Sequence, residues 1–126
     1  MDIIEAKLRQ SLVLALVGDS VESLFLREWF ATHTDLKVNA ITKKVNQLVN
    51  ARAQAESLKL IEDGLTSDEL DVVKRARNTH THSTAKNYSV IDYRHATAFE
   101  ALLGYLYLTG NKARIDEILT KVINNE

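Results

Sequence analysis

No proline interrupts the 126 residues of this chain, and only four glycines punctuate it. Proline breaks helices, and glycine serves the irregular turns that all-β chains need often, so their scarcity points to an all-α fold. The apolar spacing agrees. Leu8, Leu12, Leu14, Leu16, Val21, Leu24 and Phe25 recur at intervals of three, four and seven. They predict one broad helix face running to Trp29 or Phe30, with an irregular point at Gly18. A second pattern runs through Ile41, Val45, Leu48, Val49, Ala55, Leu58 and Leu60 and stops at Gly64. Thr66 and Glu69 then stand at capping-box spacing and open a short helix carrying Leu70, Val72 and Val73. Residues 78–88 lose the periodicity and read as one long loop. Ala96, Phe99, Leu102, Leu103 and Leu106 restart it until Gly110 and Asn111 close that helix, and Ile115, Ile118, Leu119 and Val122 supply the last one.

A chain of this length reads as one domain over residues 1–126, large enough to bury a core without staples. Zero cysteines exclude a disulfide framework, a thiolate nucleophile and Cys-ligated metal. No apolar run approaches a membrane span, and Met1-Asp2-Ile3-Ile4-Glu5 lacks the basic start of a secretory signal. A cytoplasmic location is therefore expected.

The net charge of −1 conceals segregation. Residues 36–60 hold Lys37, Lys43, Lys44, Arg52 and Lys59 against Glu56 alone. Residues 72–95 hold Lys74, Arg75, Arg77, Lys86 and Arg94 against Asp92 alone. Between them lies an acidic block of Glu62, Asp63, Asp68, Glu69 and Asp71. Two basic stretches can build a phosphate-binding face whatever the total charge, although charge runs usually form solvated helix faces.

Two acids stand in apolar sequence: Asp19 within Leu14–Val21 and Glu100 within Ala96–Leu103. A carboxylate on a core helix is costly unless something cationic meets it. A hard divalent ion such as Mg²⁺ fits, and so does an arginine partner or a capped turn. His80 and His82 lack a third strong ligand nearby and belong to a polar loop. No phosphate-cradling glycine loop and no nucleophile elbow is present.

At these residues the sequence resembles a known family. Leu14-Ala15-Leu16-Val17-Gly18-Asp19-Ser20-Val21 resembles the signature helix of the ribonuclease III family, and Ala98-Phe99-Glu100-Ala101-Leu102-Leu103-Gly104 its second catalytic helix. The blocks Val49–Ala55, Lys74–Asn78 and Tyr93–Glu100 are similar to the short bacterial Mini-ribonuclease III branch, a nuclease domain without a double-stranded-RNA-binding domain. The likeness spans roughly residues 10–110 in order.

That resemblance implies an all-helical endonuclease, homodimeric and Mg²⁺-dependent, that cleaves double-stranded RNA to 5′-phosphate and 3′-hydroxyl ends. In this branch it implies maturation of 23S ribosomal RNA. Asp19 matches the signature aspartate and Glu100 the metal-binding glutamate. Two family carboxylates are replaced, by Ala15 and Thr97, which leaves two per subunit and lets Thr97 contribute to the metal site at most through a water. Two can suffice, because Mg²⁺ keeps several waters and takes substrate phosphate as ligand. Shape-reading of an A-form duplex needs spread basic and amide groups, for which Lys43, Lys44, Gln47, Arg52, Lys74, Arg75, Arg77, Asn78, Lys86 and Arg94 are candidates. His82, Lys86 and Asn87 in the 78–88 loop offer a further grip. Leu12 and Leu16 are expected at the subunit contact, since Leu8, Leu12, Val13, Leu16 and Leu24 exceed what one side can bury. The missing carboxylates also motivate an alternative, a noncatalytic RNA-binding or assembly module on the same fold.

Overall fold

The computed structural model describes residues 1–79 and 89–125. Helices account for nearly all of it, and no strand occurs among the described residues. Seven α-helices follow in order: α1 (Ile3–Lys7), α2 (Ser11–His33), α3 (Val38–Leu48), α4 (Ala51–Ile61), α5 (Ser67–Arg77), α6 (Val90–Leu108) and α7 (Lys112–Asn124). None of the described helices is long and apolar enough to cross a membrane.

Helix α6 is the axis of the molecule. Ala96–Phe99 and Ala101–Leu106 are buried without interruption, so it is enclosed on almost every side, chiefly by α2, α4 and α5. A helix apolar around its whole circumference has to sit inside. Helix α2 buries only one stripe, Leu14, Gly18, Glu22, Leu26 and Phe30, spaced four apart and turned toward α6. Phe99, Leu102, Leu103, Leu14 and Leu26 form the centre of the core, joined by Ile118 and Leu119 of α7.

The expected helix boundaries need three corrections. The first long apolar face starts at Ser11, because Leu8–Gln10 form a turn between α1 and α2. That turn is held from far along the chain. Arg75 donates through Nε to Ser11 Oγ at 3.3 Å, through Nη2 to the Arg9 carbonyl at 2.7 Å, and through Nη1 to the Lys7 carbonyl. The 41–60 pattern is two helices, because Asn50 accepts the Ala53 N–H at 2.9 Å and starts α4 afresh. Gly18 is no irregularity; it is buried within the regular course of α2.

The other expected punctuation is in place. Thr66 and Glu69 close a reciprocal capping box on α5. Glu69 also receives two hydrogen bonds from Arg114 at 2.9 Å each, tying α7 to α5. Gly110 has φ of 77°, the left-handed cap that ends α6, and the Asn111 N–H reaches the Leu106 carbonyl at 2.8 Å.

The contact that positions everything else is the crossing of α2 and α6. A Cβ on Gly18 would lie 1.7 Å from the Glu100 carbonyl oxygen, and one on Gly104 would lie 1.9 Å from that of Leu14. Both clashes are with backbone, which has no rotamer to yield. Gly18→Ala is therefore expected to destabilise the protein by at least the ~1–3 kcal/mol typical of overpacking. Urea denaturation measures this; an unchanged midpoint would show that the helices are not in such close register.

Candidate active site

The Gly18–Gly104 crossing brings together two segments eighty residues apart in sequence, and the carboxylates come with them. Asp19 follows Gly18 and turns outward to solvent; Glu100, whose backbone lies against Gly18, is half-buried. The two carboxyl groups are close enough for the charge of Asp19 to act on Glu100. Burial first, and the Asp19 charge second, push the Glu100 carboxyl up to about 8.

A third acid stands behind this pair. Glu22, one turn beyond Asp19, is completely enclosed. Its Oε1 accepts a hydrogen bond from Gln54 Nε2 of α4 at 2.8 Å, while Oε2 is buried without a partner. Burial raises the Glu22 carboxyl to about 7, Gln54 opposes that rise, and Asp19 adds to it. Gln54 also lies near Glu100 and favours its charged form. Among the described residues no lysine, arginine or histidine forms an ion pair with Asp19, Glu22 or Glu100. The arginine partner that the sequence left open for Asp19 or Glu100 is thus not found among them.

The group suits a hard cation: its donors are carboxylate oxygens with one amide, and one oxygen is orphaned. No three ligating side chains among the described residues close around a single point by themselves. Asp19 and Glu100 could hold Mg²⁺ only with water and phosphate completing its shell. Thr97 has no free hydroxyl proton to offer, because its Oγ1 donates to the Tyr93 carbonyl at 3.0 Å. Ala15 is buried beside the crossing and leaves no polar group there.

Without metal, the raised carboxyls make stability pH-dependent. Both Glu22 and Glu100 are shifted up from an ordinary value of 4.5, so the native state binds more protons than the unfolded chain between that value and about 7–8. Stability must then fall as pH rises through this window. Urea midpoints in EDTA are expected to be lower at pH 8 than at pH 5.5. A Glu22→Gln, Glu100→Gln double variant should show a flatter response, and an equally steep one would refute the burial of these charges.

The residues proposed from sequence for a phosphate-binding face divide into groups. Lys43, Lys44 and Gln47 are exposed along α3, Arg52 is exposed at the start of α4, and Lys74 and Asn78 are exposed at the end of α5. Arg52 has only a loose 3.9 Å pairing with Glu56, and Arg94 is half-buried in α6. Arg75 requires a correction, since all three of its guanidinium nitrogens are spent on the α1–α2 turn. Arg77 is paired with Glu62 at 3.3 Å. The acidic block is structural in the same sense: Asp68 and Asp71 bind Lys7 at 2.9 Å each, and Glu69 binds Arg114. His82, Lys86 and Asn87 lie outside the described residues. Leu12 and Leu16 are 45% and 71% exposed, on a surface shared with Leu8, Val13 and Leu24.

Sequence reasoning passed over Glu22 and Gln54. The available signal was position: Glu22 falls three residues after Asp19 and four after Gly18, inside the apolar stripe of α2.

Residues 12–111 match the Ribonuclease III domain family. The chain is 47% identical over 115 residues to Mini-ribonuclease 3 of Brevibacillus brevis, covering 91% of this chain and 86% of that protein. It is 47% identical over 108 residues to Mini-ribonuclease 3 of a Thermoanaerobacter species, covering 86% and 76%. A crystal structure of a Fusobacterium nucleatum protein superposes with a TM-score of 0.86 at 29% identity, over 94% of this chain and 98% of that one.

Proposed function

Because this chain belongs to the ribonuclease III family, we propose that it is a Mg²⁺-dependent endoribonuclease cutting double-stranded RNA, one nuclease domain over residues 1–126 acting as a homodimer in the cytoplasm. The observation that carries the reading is the meeting of Asp19 and Glu100 across the glycine crossing, with no cationic side chain among the described residues to neutralise them. When bound, Mg²⁺ supplies Lewis-acid stabilisation of the phosphate and a more acidic water. Asp19, on the solvent side, would supply one carboxylate to hold the ion where substrate can reach it. Glu100, half-buried, would supply the second. Products with 5′-phosphate and 3′-hydroxyl ends follow from attack on the phosphorus with departure of the 3′-oxygen. In this reading the natural substrate is a 23S ribosomal RNA precursor.

Lys43, Lys44, Gln47, Arg52, Lys74, Asn78 and Arg94 are the binding groups this reading retains, because their side chains are free of structural duty or only loosely paired. Arg75 acts indirectly, by holding the α1–α2 turn. Affinity resting on phosphate contacts weakens with salt, each contact adding about 0.9 to the logarithmic slope. Lys43→Gln with Lys44→Gln is expected to reduce that slope by roughly 1–2 in a filter-binding titration. An unchanged slope would remove α3 from the interface.

The test of the function is incubation with end-labelled duplex RNA, single-stranded RNA and duplex DNA in Mg²⁺, repeated with EDTA. Cleavage of duplex RNA alone, abolished by EDTA and leaving 5′-phosphates, is the expected result. Duplex binding without any cleavage would leave the noncatalytic module instead.

A further inference from the structure

The fold by itself gives Glu22 no reason to be a carboxylate. Gly18, Glu22 and Leu26 occupy successive turns of the stripe that α2 presses against α6, where the periodicity asks for an apolar side chain. Glu22 is nonetheless fully enclosed, and one of its two oxygens has no hydrogen-bond partner. Burying a carboxylate in this way is destabilising, and the Gln54 amide offsets it at one oxygen only. Asp19 and Glu100 lie near it, and both are acids, so its neighbourhood makes the burial worse.

Gln54 gives the arrangement its direction. It donates to Glu22 Oε1 at 2.8 Å and lies close enough to Glu100 to favour its charged form, so one amide from α4 stands between an acid of α2 and an acid of α6. A core polar residue serving only packing would not be linked in this way to the exposed edge of the carboxylate pair.

We propose that Glu22, oriented by Gln54, is a positioning residue for the divalent cation of the Asp19–Glu100 site, a third acidic group that acts on the cation from behind the pair. It compensates on the inner side of α2 for the carboxylates that Ala15 and Thr97 do not provide. The inference rests on the reading of Asp19 and Glu100 as cation ligands. Its consequence is specific: Glu22 governs how tightly the cation is held, while the groups that face the RNA remain in place.

The test uses Mn²⁺ binding followed by the loss of the free-ion signal in electron paramagnetic resonance, with the Mg²⁺-dependence of cleavage beside it. Glu22→Gln keeps the shape of the side chain and its place in the core, and circular dichroism checks the fold. Its Mn²⁺ dissociation constant is expected to rise by about 10–100-fold, the scale for losing a group that orients metal ligands. The Mg²⁺ concentration for half-maximal cleavage should rise in parallel, with the maximal rate largely recovered at saturating Mg²⁺. Gln54→Leu should shift both in the same direction, and Glu22→Asp should restore part of the affinity. A folded Glu22→Gln protein that binds Mn²⁺ as wild type does would overturn this inference alone. Wild-type protein that binds no Mn²⁺, with or without duplex RNA, would overturn it together with the reading on which it rests.

Discussion

Asp19→Asn and Glu100→Gln are each expected to lower duplex RNA cleavage by about 10²–10³-fold or more, the scale of removing one group that stabilises developing charge. Neither change should unfold the protein. Asp19 is exposed, and Glu100→Gln removes a carboxyl that burial already holds up to about 8, so the metal-free variant should be at least as stable as wild type above neutral pH. Loss of activity with a preserved or raised melting temperature is a pattern that a merely structural acid would not give. Single-turnover cleavage in Mg²⁺, paired with thermal melts, reads both quantities. Near-wild-type cleavage by either variant would remove that residue from the site.

Leu16→Glu is expected to have an effect of similar size by another route. Leu16 is 71% exposed and lies on one surface with Leu12, Val13 and Leu24, exposed by 45%, 43% and 66%. A two-fold contact uses the same patch on both chains, so a single apolar surface on α2 is enough to form it. Withdrawing one leucine forfeits about 1.5–3 kcal/mol of burial on each side, and the introduced carboxylate adds a further cost. The dimer constant should weaken by at least two powers of ten, at about 1.4 kcal/mol per tenfold. Sedimentation should then show a monomer at micromolar concentration, with double-strand cleavage lost alongside. A variant that sediments as wild type would place the subunit contact elsewhere.

The parts of the molecule legible in sequence were those fixed by neighbours along the chain. Zero proline and the three-four spacing gave the helices, Thr66 and Glu69 the capping box, and Gly110 the end of α6. What eluded sequence reading depends on distant partners. The turn at Leu8–Gln10 is held by Arg75, more than sixty residues away, so the apolar run looked continuous. Gly18 looked like an interruption, because only the approach of Gly104 explains it. Asp19 looked buried between Leu14 and Val21, but of its neighbours in that run only some are, Leu14 being enclosed and Leu16 exposed. Glu22, the acid that truly is buried, was overlooked because a glutamate between Val21 and Ser23 reads as surface until Gln54 is seen against it.

The same physical picture sorts the basic residues. Arg77 is paired with Glu62 and Arg114 with Glu69, while Arg75 is spent on the α1–α2 turn. Lysines on the outer face of α3 have no such duty among the described residues, and this is why the phosphate-binding assignment rests more on Lys43 and Lys44 than on the Lys74–Arg77 stretch.

The central claim is that each protomer contributes one Asp19–Glu100 site and that each site cuts one strand. A heterodimer of one wild-type chain and one Glu100→Gln chain, purified through two different tags, isolates a single intact site. Incubated with duplex RNA labelled on both strands, it should yield nicked duplex, one strand cut and the other whole. Cleavage of both strands at the wild-type rate would contradict the account.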